Sequence, residues 1–271
     1  SSRRRHTRYG TVTGVQTCAL PISWQNDMQS EAVGKYATDK GYKNVYIMAP
    51  NYQSGKDNVA GFKRYFKGGL SGEVYTTVNQ PDYSAEIAQM QSAKPDALFV
   101  FYPGGMGVNF VKQMRQAGLL GQIPLLSVST TDGSTLPALK ETALGVISGT
   151  FWGPDFNNPA SKKFVADFEK KYSRIPSQYA AQAYDSALLI DSALKKTGGK
   201  AADKAALTNA LRAADFKSVR GNFRFNKNGF PIQDMHVFEV AKDSADRVSL
   251  KTVSTPLKNL SDPYVTDCPL K

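Results

Sequence analysis

The chain has 271 residues, enough for one large or two modest domains, and 41% of them are hydrophobic. Its formal net charge is +11, yet four arginines fall in the first 23 residues without an acid, so the rest of the chain carries +7. Those remaining cations are scattered beside Asp and Glu, whereas a nucleic-acid footprint needs clustered charge, so we expect no nucleic-acid partner.

Cysteine and histidine are too few for most metal and nucleophile chemistry. Cys18 and Cys268 lie near the two ends in no metal-like spacing, so the sequence indicates neither a disulfide framework nor a zinc site. The two histidines, His6 and His236, are too few for His-rich metal centres and argue against His-based triads. No stretch approaches the roughly 18 apolar residues of a membrane span. The sequence therefore indicates no His-based catalysis and no Cys- or His-based metal site, and we expect no cofactor.

Residues 1–23 differ in character from the rest of the chain. The stretch begins with basic residues, but TVTGVQTCALPIS has polar residues throughout and lacks the continuous apolar core of a signal peptide. It resembles the translated adapter sequence that occurs at the ends of fragmentary predicted proteins. We therefore treat residues 1–23 as a non-native leader and begin the fold at Trp24.

Residues 44–66 set the pattern for most of the chain. An apolar run, Val45 to Ala49, ends at Pro50; the polar loop 51–55 comes next, and then apolar residues recur at helical spacing. The same alternation predicts strands over 44–49, 73–78, 97–101, 124–128 and 146–151, and helices over 27–40, 56–67, 82–95, 107–117 and 134–140. Strand starts about 25 residues apart are typical of βα units, so we expect a sheet of five parallel strands.

After residue 151 the alternation stops at a Gly, Pro and Asn loop. Three helical stretches come next with no strand between them: 160–173, 177–197 and 203–214. The middle helix is apolar around much of its circumference and requires a packing partner, which we expect in a βα series absent from this chain. Residues 222–225 and 234–240 then predict a hairpin, and the last 25 residues predict a surface extension.

The loops after the predicted strands hold the candidate ligand residues, because open α/β sheets bind ligands at the carboxyl ends of their strands. The candidates are Tyr52, Ser54, Tyr102, Met106, Ser127, Thr130, Asp132, Trp152 and Asp155. Aromatic and thioether surfaces supply contact area, while hydroxyls and a carboxylate orient a polar ligand, so the set suits reversible binding. Asp132 either holds a ligand ammonium group or caps the helix predicted at 134.

The loop YPGGMG, residues 102–107, is rich in glycine. Gly104 and Gly105 either bring backbone N–H groups to the cleft or are ordinary loop glycines. The third position of a GxGxxG motif falls on Phe110, and the loop comes after the third strand rather than the first. A dinucleotide site is therefore not expected here.

Several segments in the same order carry a family resemblance: PNYQSGKD, DYSAEIAQMQSAKPDALFVFYPGG, VKQMRQAG, AQAYDSALLIDSALKKTGG and VRGNFRFNKNGFP. Together they resemble the substrate-binding proteins of ABC transporters for branched-chain amino acids and related amides or acids. The resemblance implies the type I periplasmic-binding fold, with two α/β lobes joined by three crossovers. It also implies a periplasmic, non-enzymatic protein that closes on a small-molecule ligand and hands it to a membrane permease.

Relative to that family, the chain starts where the second lobe begins, which implies an N-terminally truncated protein. Lobe two then comprises residues 24–151 and 219–242, and residues 152–218 are a helical remnant of lobe one with crossovers near 152–159, 215–219 and Trp24. Residues 243–271 are a C-terminal extension. The fold class is thus α/β, with one essentially complete parallel-sheet lobe and helices of an incomplete second lobe. With half of the cleft absent, we expect weak or no ligand binding and a tendency to aggregate.

The resemblance places lobe-two ligand contacts on Ser54, Met106 and the loop from Ser127 to Asp132, and a lobe-one aromatic contact on Tyr179. Ser54 and Met106 replace aromatic residues of many members, and we expect Tyr52 to supply part of the lost aromatic surface. The ligand stays open between a branched-chain amino acid, another amino acid, an amide, and an aromatic or aliphatic carboxylate. The alternatives are a ligand-sensing domain of a receptor or regulator with the same fold, and a Rossmann-type nucleotide-dependent enzyme.

Overall fold

The computed structural model describes residues 22–266. His6, Cys18 and Cys268, and all of the predicted leader except its last two residues, lie outside the described residues. The leader therefore stays a prediction.

Helices and strands alternate through the first half of this range. The helices are α1 Met28–Asp39, α2 Gln53–Tyr65, α3 Ser84–Ser92, α4 Gly105–Gln116, α5 Leu136–Leu139 with a 3-10 turn Lys140–Ala143, α6 Pro159–Tyr172, α7 Gln178–Lys196 and α8 Lys204–Arg212. The strands are β1 Asn44–Pro50, β2 Gly69–Thr76, β3 Ala97–Phe101, β4 Leu125–Val128, β5 Ile147–Thr150, β6 Arg224–Phe225, β7 Pro231–Lys242 and β8 Val248–Leu260.

The strands form one sheet in the order β2-β1-β3-β4-β5-β7-β6, with β8 also paired to β7. The first five strands run parallel, with registers such as Val45 beside Ala97 and Leu98 beside Leu125, so the predicted five-stranded parallel sheet is confirmed. Strand β2 begins at Gly69 rather than at the predicted residue 73, because it pairs with β1 from Asn44 onward. The predicted hairpin is also present, as the antiparallel pair β6 and β7.

Alternate side chains of the central strands enter two cores, one on each face of the sheet. On one face Ile47 and Phe99 pack with α1 and α2, and the Phe62 ring of α2 stacks on Phe99 with centroids 4.2 Å apart. On the other face Met48 and Val100 pack with α3, α4 and α5. Every residue of β3 is buried, which explains why its sequence is apolar without alternation.

The end of the chain belongs to the sheet, which corrects the prediction of a surface extension after residue 242. Strand β8 pairs antiparallel with β7 along residues 248–260. Beyond it, the Tyr264 hydroxyl donates to Asp27 Oδ2 at 3.0 Å. Pro256 of β8 lies where the β7–β8 register shifts, so its missing N–H breaks no regular ladder.

The helices α6 to α8 pack on one side only. Phe164 of α6 contacts Tyr184 of α7 with ring centroids 4.8 Å apart, and Ala181 and Leu189 of α7 are buried. Ile190, on the opposite side of α7, is 53% exposed. The apolar surface expected on this helix is thus present on one face.

Candidate functional site

The carboxyl ends of β1, β3 and β4 are neighbours, because these strands are adjacent in the sheet. This order brings together the loop before α2, the glycine-rich loop before α4 and the loop after β4. The predicted candidates come from these three loops, from the segment after β5 and from the start of α7.

The first loop is shorter than predicted. Helix α2 begins at Gln53, so Ser54 lies in its first turn. Gly55 permits this early start, since a Cβ there would lie 2.1 Å from the Pro50 carbonyl oxygen. The Tyr52 ring is half-buried and stacks on Phe101 with centroids 6.3 Å apart. Tyr52 and Ser54 therefore both stand at the carboxyl edge of β1.

The Ser54 hydroxyl is held by a neighbour that sequence reasoning did not identify. It accepts a hydrogen bond from Asn26 Nδ2 at 2.7 Å and approaches Asn26 Oδ1 at 3.0 Å. Asn26 lies just before α1, beside the predicted crossover at Trp24. A local contact thus orients Ser54 and links the edge of β1 to the start of the described chain.

In the glycine-rich loop, Gly104 and Gly105 are exposed, whereas Tyr102 is buried. Gly104 has φ +59° and precedes α4, and a Cβ added to either glycine would meet no atom within 4 Å. The N-terminus of α4 therefore faces open space and has no capping side chain. Met106, in the first turn, is partly buried, and its Sδ lies 3.4 Å from the Asn79 nitrogen.

Tyr102 lies in the core rather than at the surface, and its predicted ligand contact stays a prediction. Its side chain is fully buried, with its ring centroid 5.0 Å from those of both Tyr83 and Phe110. Its hydroxyl lies 3.1 Å from Thr76 Oγ1, and burial raises its pKa. Tyr102 directly follows β3 and continues its alternation, so its side chain enters the same core as those of Leu98 and Val100.

Ser127 and Thr130 are also fully buried, and their predicted ligand contacts stay predictions. The Ser127 hydroxyl donates to the Ile147 carbonyl at 2.9 Å, which links β4 to β5. Thr130 Oγ1 accepts from the Tyr102 backbone N–H at 2.9 Å. These two hydrogen bonds link β4 to β5 and link the end of β3 to the loop after β4.

Asp132 has the capping role, one of the two that its position allows, and the ligand role stays a prediction. Its Oδ1 accepts from the Ser134 N–H at 2.7 Å and from the Ser134 hydroxyl at 2.6 Å, which caps the segment before α5. Its Oδ2 accepts from the Tyr179 hydroxyl at 3.4 Å. The capping role is present, and the second oxygen faces the start of α7.

Tyr179 is 40% exposed, with its ring centroid 6.1 Å from that of Trp24. Burial and the neighbouring Asp132 carboxylate raise its pKa to about 12, so the phenol is neutral at physiological pH and can donate. The Tyr179 side chain therefore contacts the loop after β4, and its predicted contact with a ligand stays a prediction.

Trp152 and Asp155 have partners elsewhere in the fold. Trp152 is 1% exposed, and its Nε1 donates to Ser161 Oγ at 2.9 Å, so its side chain lies in the core and its predicted ligand contact stays a prediction. Asp155 accepts from the Thr252 N–H at 2.7 Å and from its hydroxyl at 2.8 Å, which holds β8 in place. The sequence could not show that β8 supplies a partner for this carboxylate.

A second group of residues, the Arg220 cluster (Asp185, Ser218, Val219, Arg220 and Gln233), joins distant segments. Arg220 Nε lies 3.1 Å from Asp185 Oδ2, and its Nη1 donates to Gln233 Oε1 at 2.9 Å. Asp185 also accepts from Ser218 Oγ at 2.7 Å and from the Val219 N–H at 2.9 Å. Burial raises the pKa of Asp185 and lowers that of Arg220 to about 10.

The Arg220 cluster also reaches the predicted crossovers. Arg220 Nη2 donates to the Ile22 carbonyl at 2.7 Å, and its guanidinium carbon lies 4.3 Å from the centroid of Phe151. The cluster thus ties together the start of the described chain, the end of β5, α7 and β7. The signal that sequence reasoning passed over was Asp185, an acid on an otherwise apolar face of the helix.

Among residues 22–266 no group of three His, Cys, Asp or Glu side chains could hold a metal ion. No helix in the same range is long and apolar enough to cross a bilayer.

The sheet is mostly parallel, and several candidate ligand residues lie at the carboxyl ends of its strands, close to the first turn of α7. This arrangement is that of an α/β binding protein of the type I periplasmic class. The chain belongs to the periplasmic binding protein family, whose match spans residues 10–245. Because this match starts inside residues 1–23, the boundary of the leader stays a prediction.

Individual relatives agree with the family. The chain is 29% identical over 231 residues to the Leu/Ile/Val-binding protein homolog 6 of Brucella melitensis, covering 81% of this chain and 58% of that protein. A solute-binding protein of an ABC transporter from R. palustris in complex with benzoate superposes with a TM-score of 0.81 at 26% identity, covering 92% of this chain and 70% of that one.

A second solute-binding protein, from Rhodopseudomonas palustris BisB5 in complex with 3,4-dihydroxybenzoic acid, gives a TM-score of 0.77 at 29% identity, with 89% of this chain and 68% of that one covered. The expected type I fold and the resemblance to the branched-chain amino acid group are confirmed.

Proposed function

We propose that the chain is part of an extracytoplasmic solute-binding component of an ABC importer. It captures an amino acid or a related small carboxylate or amide and delivers it to a membrane permease, and it binds without catalysing a reaction. Lobe two comprises residues 24–151 and 219–242, and residues 152–218 belong to lobe one. The observation that carries the proposal is the Tyr179 to Asp132 contact, which joins α7 to the loop after β4 at the edge where ligands of such sheets bind.

The proposed ligand-contact residues lie at the starts of α2, α4 and α7 and in the loop after β4: Tyr52, Ser54, Gly104, Gly105, Met106, Asp132 and Tyr179. The uncapped N-terminus of α4, with open space in front of Gly104 and Gly105, suits a ligand carboxylate, because helix N-terminal N–H groups and the helix dipole favour anions. The rings of Tyr52 and Tyr179 supply apolar contact area.

Asp132 distinguishes the two classes of ligand that the relatives suggest, amino acids and benzoate-like acids. An amino acid needs an acceptor for its ammonium group, and Asp132 Oδ2 offers one because its bond to Tyr179 is long at 3.4 Å. A benzoate-like acid needs no such acceptor and uses the ring surfaces instead. Asp132→Asn keeps a good capping side chain, since Asn caps helices as well as Asp does, but removes the charge.

The experiment is a thermal-shift titration of the 271-residue chain with leucine, isoleucine, benzoate and 4-hydroxybenzoate. A ligand at ten times its dissociation constant stabilises by about 1.4 kcal/mol, which raises the melting temperature of a domain of this size by roughly 2–4 °C. If the ligand is an amino acid, Asp132→Asn abolishes the shift; if it is a benzoate, the shift persists. Asp167→Asn on the exposed face of α6 is the matched control.

Saturable binding of NAD in place of these acids would contradict the proposal.

A further inference from the structure

The segment after β8, residues 261–266, is called here the C-terminal strap. The Tyr264 hydroxyl donates to Asp27 Oδ2 at 3.0 Å and accepts from Arg64 Nη2 at 2.9 Å, which ties the strap to α2 and to the residue before α1. Asp262 is fully buried, and its Oδ1 accepts from the Tyr264 N–H at 2.9 Å. The strap is therefore held through two of its residues, Asp262 and Tyr264.

Asn228, in the turn between β6 and β7, also holds the strap. Its Nδ2 donates to Asp262 Oδ2 at 2.5 Å, and its Oδ1 accepts from the Phe230 N–H at 3.3 Å. The residue is 7% exposed. A hydrogen bond to a carboxylate is stronger than one between neutral groups. The strap thus depends on the Asn228 amide being a donor.

Asn228 is followed by Gly229, and this is the one Asn-Gly pair in the sequence. Asparagine before glycine readily loses its amide, because no Cβ shields the next backbone nitrogen. The Gly229 nitrogen, once it has lost its proton, attacks Asn228 Cγ; the Cγ–Nδ2 bond breaks, and ammonia leaves a succinimide ring. Water then opens the ring at either carbonyl carbon and gives aspartate or isoaspartate. The net reaction exchanges NH2 for OH and consumes one water.

The fold restrains this reaction while the strap is in place. The Gly229 N–H donates to the Asn226 carbonyl at 2.9 Å, and the Asn228 amide is held by Asp262. The attacking nitrogen and the leaving group are therefore both engaged in hydrogen bonds. The turn has to open before the nitrogen can reach Cγ, and such local opening is easiest near chain ends and turns. The rate should follow the fraction of molecules in which the strap is released.

Deamidation would place a second carboxylate beside Asp262. Two carboxylates that share a buried site resist being ionised together. Burial, with the Asp27 carboxylate nearby, already raises the pKa of Asp262. The neighbouring cation, Arg64, is already paired with Asp27 and Glu31. A carboxylate at position 228 would therefore repel the strap instead of holding it.

We propose that Asn228 is a site of spontaneous deamidation and that its conversion releases the C-terminal strap. The amide keeps the strap closed, and the closed strap keeps the amide intact. A single reaction ends this arrangement for good, because the strap cannot close on a carboxylate. A released chain end is a preferred site of proteolysis, so the modified chain is the one that a protease trims. The inference does not depend on the proposed transport function.

The site is tested by mass spectrometry of the tryptic peptide 228–242, whose one asparagine is Asn228, after incubation of the 271-residue chain in alkaline buffer. Deamidation raises the mass of this peptide by about 1 Da. Tyr264→Phe loosens the strap without touching Asn228 and should accelerate the reaction about tenfold. Lys163→Gln, which removes an exposed ion pair of α6, should leave the rate unchanged.

A synthetic peptide of residues 224–234 gives the rate of the unrestrained reaction. An intact Asn228 in both the wild-type chain and Tyr264→Phe, after this peptide has fully reacted, would overturn the site. Equal rates in the two chains would overturn its control by the strap.

A reciprocal exchange tests the consequence of the reaction. Asn228→Asp should lower the melting temperature by about 4–8 °C and let carboxypeptidase trim the chain past Tyr264. Asn228→Asp combined with Asp262→Asn should recover most of the loss, because the new amide can donate to the new carboxylate and still accept from the Tyr264 N–H. An unchanged single variant, or a double variant no better than the single one, would overturn the proposed release.

Discussion

The buried ion pair of the Arg220 cluster yields the sharpest stability prediction. Arg220 and Asp185 have side-chain exposures of 1% and 0%, so neither charge is screened by water. Arg220→Met removes the cation that pairs with Asp185 and leaves a buried carboxylate without its counter-charge, a change that typically costs about 3–5 kcal/mol. That is a large share of the roughly 5–15 kcal/mol that holds a typical protein folded.

The double variant Asp185→Leu with Arg220→Met removes both charges at once. The Ser218 hydroxyl and the Val219 N–H then lose their acceptor, which costs about 1–3 kcal/mol, but no buried charge is left alone. We therefore expect the double variant to be no less stable than Arg220→Met by itself. The two single effects should not add, because the residues are in contact.

The assay is urea unfolding followed by circular dichroism, with the free energy of unfolding taken from the linear dependence on urea. The control is Lys195→Met, which breaks the Lys195 to Asp191 pair on the same helix; its side chains are 76% and 58% exposed, and such pairs contribute about 0.3–0.5 kcal/mol. A loss under about 1 kcal/mol for Arg220→Met, or strict additivity in the double variant, would refute the reasoning.

Three further predictions concern groups outside this pair. Burial lowers the pKa of His236 to about 4, so between about pH 4 and 6.5 the unfolded chain binds more protons than the folded chain. The free energy of unfolding should therefore decrease as the pH falls through that window. His236→Gln should flatten this part of the pH profile, measured by urea unfolding. Gly104→Ala should cost about 1–3 kcal/mol, because Gly104 has φ +59° and ψ −129°, a backbone conformation that residues with a Cβ rarely adopt. Gly107→Ala should cost more, because its Cβ would lie 2.3 Å from the Tyr102 carbonyl oxygen; equal melting temperatures would contradict this. Tyr264→Phe should lower stability by about 1–2 kcal/mol in thermal unfolding through the lost bond to Asp27, and no change would show that the end of the chain is not held there.

Much of the architecture can be predicted from local patterns. Apolar runs that end at Pro or Gly and amphipathic helices between them predict β1 to β5, and their roughly regular spacing predicts parallel pairing. The strand β8 escaped prediction because it is half-exposed, contains Pro256 and lacks a clear two-residue period. Its pairing with β7 depends on a partner that local sequence does not reveal.

The candidate site was only partly predictable. Sequence places residues at the ends of strands, but it does not decide which side chains point outward, so Tyr102 and Trp152 were expected at the edge and lie in the core. Asp132 was open between a ligand and a capping role, since both use the same carboxylate. The structure shows the cap on one oxygen and Tyr179 near the other.

The sequence by itself determined the order of helices and strands and the parallel sheet, because hydrophobic periodicity acts over a few residues. Only the tertiary structure decided the contacts between distant segments: Asp185 with Arg220, Asp132 with Tyr179, and β7 with β8. These depend on how the chain closes on itself, which brings residues together regardless of their separation in sequence. The hydrogen bond between Asn228 and Asp262 belongs to the same group, because its partners are 34 residues apart in the chain.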